Sequence, residues 1–169
     1  MKSKVVAVTL LASTTMIGYS NTSFAETCYT VEGEVKTENT SIVTQKGSID
    51  LLLLDEYDNE AYRESGELNG VIIGGNALGL LLSHTAAFDD GSTFTTFEDQ
   101  AIITDIRKQA EDGMPCSFFI HEEITNIVQS SGFFANVNDV KIKADGYIST
   151  CDGENENEFE LTGRLCVIE

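Results

Sequence analysis

Alternation of apolar and polar residues is sharpest near the C-terminus of this chain. Val140, Ile142, Ala144 and Ile148 fall on one side of an extended backbone, with Lys141, Lys143, Asp145 and Tyr147 on the other. That is the period of two of a half-buried strand. After the polar turn CDGENEN the pattern returns: Phe159, Leu161, Gly163, Leu165 and Val167 share one face, and Glu160, Thr162, Arg164 and Cys166 the other. Six further strands are expected upstream, at 28–37, 41–54, 66–74, 77–88, 92–104 and 116–129, with an acidic loop at 55–65 and Gly-Gly-Asn at 74–76 as punctuation. Asp90-Gly91 suits a two-residue hairpin turn, which would set His84 opposite Phe97. IRKQAEDGMP, after Thr104, reads as a helical turn or a loop, and no stretch has a helical period of useful length.

Eight short antiparallel strands in about 140 residues fit an up-and-down barrel or a two-sheet sandwich. The barrel is favoured because LCVIE would otherwise end the chain as an apolar exposed edge, and closure removes edges. The expected fold is therefore all-β: an eight-stranded antiparallel closed barrel following a cleaved signal peptide.

The signal lies in residues 1–25. Lys2 and Lys4 precede an apolar run from Val5 to about Ile17, and Ser23-Phe24-Ala25 has the small-x-small form of a cleavage site. The run falls short of the ~20 residues of a spanning helix. Cleavage after Ala25 is expected, leaving 26–169 as one barrel domain, secreted or periplasmic.

The net charge of −18 becomes −20 once Lys2 and Lys4 are removed with the signal. Such a surface disfavours nucleic acid and anionic membranes as partners. The acidic runs DEYDNE and DGENENE lack the ligand spacing of an EF-hand loop, and no cofactor is expected. Cys28, Cys116, Cys151 and Cys166 all follow the cleavage site, an even number suited to disulfides in an oxidising compartment. The nearest two are separated by fourteen residues, against the two to four of a zinc site, so no metal site is expected. Barrel closure would set the start of the first strand beside the end of the last, which pairs Cys28 with Cys166 and leaves Cys116 for Cys151. In the second pair the two cysteines differ in strand phase, so a strand end or bulge has to correct it.

A resemblance covers the second half of the chain. The segments SHTAAFDDGSTFTTFEDQAII, SSGFFANVNDVKIKADGYIS and ELTGRLC resemble bacterial secreted members of the allene oxide cyclase-like barrel group, related in shape to dirigent proteins. The similarity lies in the Asp90-Gly91 hairpin, the Gly132-Phe133-Phe134-Ala135 corner, Gly146, and Thr162 to Cys166. It implies an eight-stranded barrel, often trimeric, with an apolar cavity that in plant members steers cyclisation of a fatty-acid epoxide or coupling of phenoxy radicals. It carries over no catalytic residue.

Candidate chemistry is sparse. There is no glycine-flanked nucleophilic serine and no phosphate loop, and the histidines are His84 and His121 alone. His84 shares a face with Ala86 and Phe88 and reads as a hydrogen-bonded structural histidine, with catalysis the alternative; His121 points outward with Ser117, Glu123 and Thr125. Glu122 is the acid whose strand neighbours in phase are apolar: Phe118, Ile120, Ile124 and Val128, with Asn126 the other polar member. If that face lines the lumen, a desolvated carboxyl sits inside, unless it pairs with Lys141 or Lys143. The weak catalytic candidates are thus Glu122, Asn126 and His84. Phe118, Ile120, Ile124, Ile142 and Leu161 are the candidate ligand-binding residues. The expected function is a secreted module binding a small apolar, lipid-like ligand or presenting a rigid surface. The alternative is a cyclase or isomerase, needing neither metal nor cofactor, acting on an apolar substrate.

Overall fold

A computed structural model describes residues 25–168; the proposed signal segment preceding Ala25 lies outside them. Among the described residues the chain is all β, with ten strands and a single 3-10 turn at Gly132–Phe134. The strands are β1 (Glu26–Asn39), β2 (Thr44–Leu54), β3 (Glu60–Gly75), β4 (Leu80–Phe88), β5 (Thr93–Thr96), β6 (Asp99–Gln109), β7 (Pro115–Ile124), β8 (Ile127–Ser131), β9 (Val137–Ser149) and β10 (Glu156–Ile168). They form one antiparallel sheet in which β1, β2, β3, β4, β6, β7, β9 and β10 follow one another in a ring, β10 pairing back onto β1. β5 and β8 pair with each other, and β5 also pairs with β4. No helix among the described residues is long and apolar enough to cross a membrane.

The alternation read in the sequence puts the core inside the ring. Val140, Ile142 and Ala144 of β9 and Phe159, Leu161 and Leu165 of β10 are buried, while Lys141 and Lys143 are exposed. β2 contributes Ile49, Leu51 and Leu53, and β1 contributes Val31 and Val35. One end of the ring is filled by aromatic rings. Phe134, fully buried, touches Tyr62, Phe88, Phe94 and Phe133, and Phe133 stacks on Tyr29 and Tyr62. The Gly132-Phe133-Phe134 corner thus acts as a plug.

Several boundaries differ from expectation, each for a local reason. β3 begins at Glu60, so the acidic loop shrinks to Asp55–Asn59, closed by the Asp55 carboxylate accepting the backbone N–H groups of Tyr57 and Asn59. The β4–β5 turn holds three residues and not two. Phe88 N–H donates to Ser92 O and Gly91 N–H to Phe88 O, with Gly91 at φ +87°, a type I turn followed by a left-handed glycine. The extra residue moves the register by one, so His84 lies opposite Thr96, and Phe97 is exposed. β6 runs on to Gln109, so IRKQ is strand and only the residues after it turn.

Two expected strands are each broken in the middle. The 92–104 strand divides into β5 and β6 at Phe97-Glu98, Glu98 having φ 61°. The 116–129 strand divides into β7 and β8 at Thr125-Asn126. The breaks face one another, Phe97 N–H donating to Asn126 O, and each reverses which side of its strand points inward.

The disulfides are Cys28–Cys166 and Cys116–Cys151, the pairs expected from the sequence, and they fit an oxidising, extracellular-type environment. Cys28 and Cys166 are direct cross-strand partners, with Cα atoms 4.0 Å apart. Cys151 lies two residues beyond the end of β9, so its phase is free to turn towards Cys116. Thr150 secures the approach by donating both its N–H and its hydroxyl to Cys116 O.

These loops differ in length, 138 against 35 residues in sequence separation. Chain-entropy reasoning gives about 5 kcal/mol for the Cys28–Cys166 pair and about 4 kcal/mol for Cys116–Cys151. Denaturant unfolding of the two Cys→Ser double variants is expected to rank them in that order, the first being the less stable.

Candidate functional site

The cavity lies inside the ring and borders the aromatic plug at Phe94. It has a volume of about 90 Å³ and walls that are mostly aliphatic, including Leu51, Leu68, Leu82, Ile142 and Leu161. Gln45, Ile72 and Ile148 border it and also border a surface groove formed by the 39–45 and 150–155 loops. That groove is the mouth of the cavity. Apolar side chains stand exposed in it, Ile42 at 97% and Val43 at 46%.

One patch of the wall is polar, and three strands build it. β4 supplies His84, the start of β6 supplies Asp99, and β7 supplies Glu122. His84 Nδ1 is 3.0 Å from Asp99 Oδ2 and 3.3 Å from Glu122 Oε1. Both acids are buried, Asp99 at 1% and Glu122 at 4% exposure. Thr96 ties the patch to the backbone: its hydroxyl oxygen accepts the His84 N–H at 2.9 Å and its proton goes to Asp99 Oδ2. The Cδ2–Nε2 edge of the imidazole packs against Gly70, the β3 residue paired with His84. A Cβ there would sit 2.9 Å from Cδ2 and 3.0 Å from Nε2, so only glycine leaves the ring its place.

The electrostatics are unbalanced. Two carboxylates face one imidazole nitrogen, and Asp99 Oδ1 and Glu122 Oε1 are buried without a hydrogen-bond partner. Burial raises the Glu122 carboxyl above its ordinary range; His84 pulls it back and Asp99 pushes it further up. Burial disfavours a charged His84, but Glu122 and Asp99 outweigh that and leave its pKa raised. In the protein alone, protons are thus held in the patch to offset negative charge that cannot reach water.

The sequence candidates separate on this geometry. Glu122 and His84 meet at the patch. Asn126 does not: it lies in the break between β7 and β8, exposed, and the reversal of phase there carries Val128 outward and Ile127 inward to the cavity. Ile120, Ile124, Ile142 and Leu161 border the cavity, whereas Phe118 packs against the core elsewhere. Lys141 and Lys143 are on the outer face, leaving His84 as the cation beside Glu122. His121 is on the outer face as expected, 2.6 Å from Asp145. Asp99 was not legible as an interior residue, because strict alternation from Phe94 and Thr96 would turn Glu98 inward and Asp99 out. The one available signal was the adjacent acids Glu98-Asp99 within an otherwise strand-like run.

Comparison with protein-family models, with curated proteins and with solved structures finds no match to this chain.

Thr96→Val keeps the shape of the side chain while leaving the His84 N–H and the Asp99 carboxylate each short of a partner. The expected loss is about 1–3 kcal/mol in urea unfolding. Thr95→Val, half-buried on the outer face of the same strand and bonded there to the Thr85 hydroxyl, should cost less, at most about 1 kcal/mol.

Proposed function

We propose that the ring is a closed eight-stranded barrel, of the kind the allene oxide cyclase-like resemblance implies, and that the secreted protein holds a small, mainly apolar ligand in its interior. The observation that carries this reading is a largely aliphatic cavity with one polar patch, at which Glu122 presents a buried carboxyl oxygen that makes no hydrogen bond and has only His84 Nδ1 near it, at 3.3 Å. Binding sites of this sort draw affinity from apolar walls and orientation from a few placed polar groups. A ligand with a hydrocarbon body and one hydroxyl group to donate to that oxygen matches both. The exposed aliphatic side chains at the mouth suit passage of such a molecule, and the strongly acidic surface disfavours nucleic acid and anionic membranes.

A second reading is favoured by one specific feature of the same patch. Glu122 has a raised pKa and stands beside a histidine, so it can hand a proton to a bound molecule, or take one, at the edge of an apolar cavity. That is the requirement of a cyclase or isomerase acting by proton transfer. Ligand binding is common to both readings, and turnover separates them.

Native mass spectrometry of protein collected from the periplasm or medium of expressing cells should show a retained lipid-like adduct. Glu122→Gln keeps the volume and removes the charge. It should weaken retention of a small oxygen-bearing apolar probe, such as cyclohexanol, by about 10- to 100-fold, the scale of one hydrogen bond to a charged group. A plain hydrocarbon probe should be held equally by both proteins. Equal retention of both probes by parent and variant would remove Glu122 from the function.

A further inference from the structure

We infer that His84, Asp99 and Glu122 form a binding site for one divalent first-row transition-metal ion on the wall of the cavity. The inference concerns the same patch but does not rest on an organic guest. Three features point to it.

The first is spacing. The donor atoms, one from each residue, lie within 4.8 Å of one another, and the imidazole nitrogen is 3.0 and 3.3 Å from the two carboxylate oxygens. Donors held at about 2.0–2.2 Å around a zinc-like ion stand about 3.0–3.4 Å apart when adjacent. An ion can therefore enter with small side-chain rotations and no movement of the strands.

The second is satisfaction. Asp99 Oδ1 and Glu122 Oε1 are buried and make no hydrogen bond, Oε1 having only the approach of His84 Nδ1 at 3.3 Å. A single proton on Nδ1 cannot serve both carboxylates, whereas a dication meets all three residues at once. Two carboxylates and a neutral imidazole around a dication leave no net charge inside an apolar cavity.

The third is orientation. The ring of His84 is fixed by Gly70 beside it, and Asp99 by the Thr96 hydroxyl. Such outer contacts hold a ligand set in place before the ion arrives. One nitrogen and two oxygens suit zinc, manganese or iron(II), and are too few oxygens for calcium. His84 and Glu122 border the cavity, so a coordination position facing it would be open to water or to the oxygen of a guest. The other group of donors close enough for a metal, Glu26 with Cys28 and Cys166, has both its sulfurs in a disulfide.

The full secreted protein, stripped with a chelator, would be titrated with Zn²⁺ and with Co²⁺ in excess Mg²⁺, which occupies the many surface carboxylates. The expected result is one ion per chain, visible d–d absorption from bound Co²⁺, and paramagnetically shifted His84 imidazole protons in the NMR spectrum. Glu122→Gln should weaken Zn²⁺ binding at least tenfold. Glu67→Gln, on the outer surface, should leave it unchanged. If Glu122→Gln fails to fold, the His84 shifts in the parent protein decide the matter alone. Absence of stoichiometric binding under Mg²⁺, or Co²⁺ binding that leaves the His84 protons unshifted, would overturn the inference while leaving the measurements with the organic probes untouched.

Discussion

Everything inside this protein depends on the first strand meeting the last. β1 and β10 pair over thirteen residues, from Glu26 opposite Ile168 to Glu38 opposite Glu156, and the Cys28–Cys166 bond lies within that seam. Without the seam, β2 and β9 are two arms of an open sheet, and Leu51, Ile142 and Leu161 face water. With it, the aliphatic faces of eight strands look at one another. The contact is also the most distant in sequence, so forming it costs more loop entropy than any other pairing in the chain. A covalent bond at that position removes disorder from the unfolded chain where the folded one most needs the advantage.

The polar patch is the counterpart of that enclosure. Outside the ring, His84, Asp99 and Glu122 would be an ordinary surface cluster, each solvated at little cost. Inside it, bulk water no longer surrounds them and each donor or acceptor has to be met by the protein, a proton, an ion, a guest or a water held in the cavity. The chain meets part of the demand through Thr96 and leaves Glu122 Oε1 and Asp99 Oδ1 open. Aliphatic side chains of similar size would pack there with no such debt, so the patch is a concession of stability made at one point on an otherwise hydrocarbon wall.

Much of the ring was legible because alternation survives along β1, β2, β9 and β10, where long strands pair without interruption. The Cys28–Cys166 bond followed from the same register. Glu122 could be placed inside because β7 keeps its phase from Phe118 to Ile124. The reading failed where phase reverses. Glu98 in the left-handed region and the break at Asn126 each shift alternation by one, which hid Asp99 and misplaced Asn126 and Val128. A three-residue turn at Asp89-Asp90-Gly91 moved His84 from Phe97 to Thr96. Such breaks depend on partners far along the chain, here on each other through Phe97 and Asn126, and no local pattern encodes them.

The Phe133-Phe134 plug makes the interior blind. With one end packed solid and the mouth at the 39–45 and 150–155 loops, whatever goes in must come out the way it came. For a guest of the kind proposed, residence time would then be governed by those loops and not by the depth of the cavity, and a newcomer would have to wait for the occupant to back out: a queue at a single door.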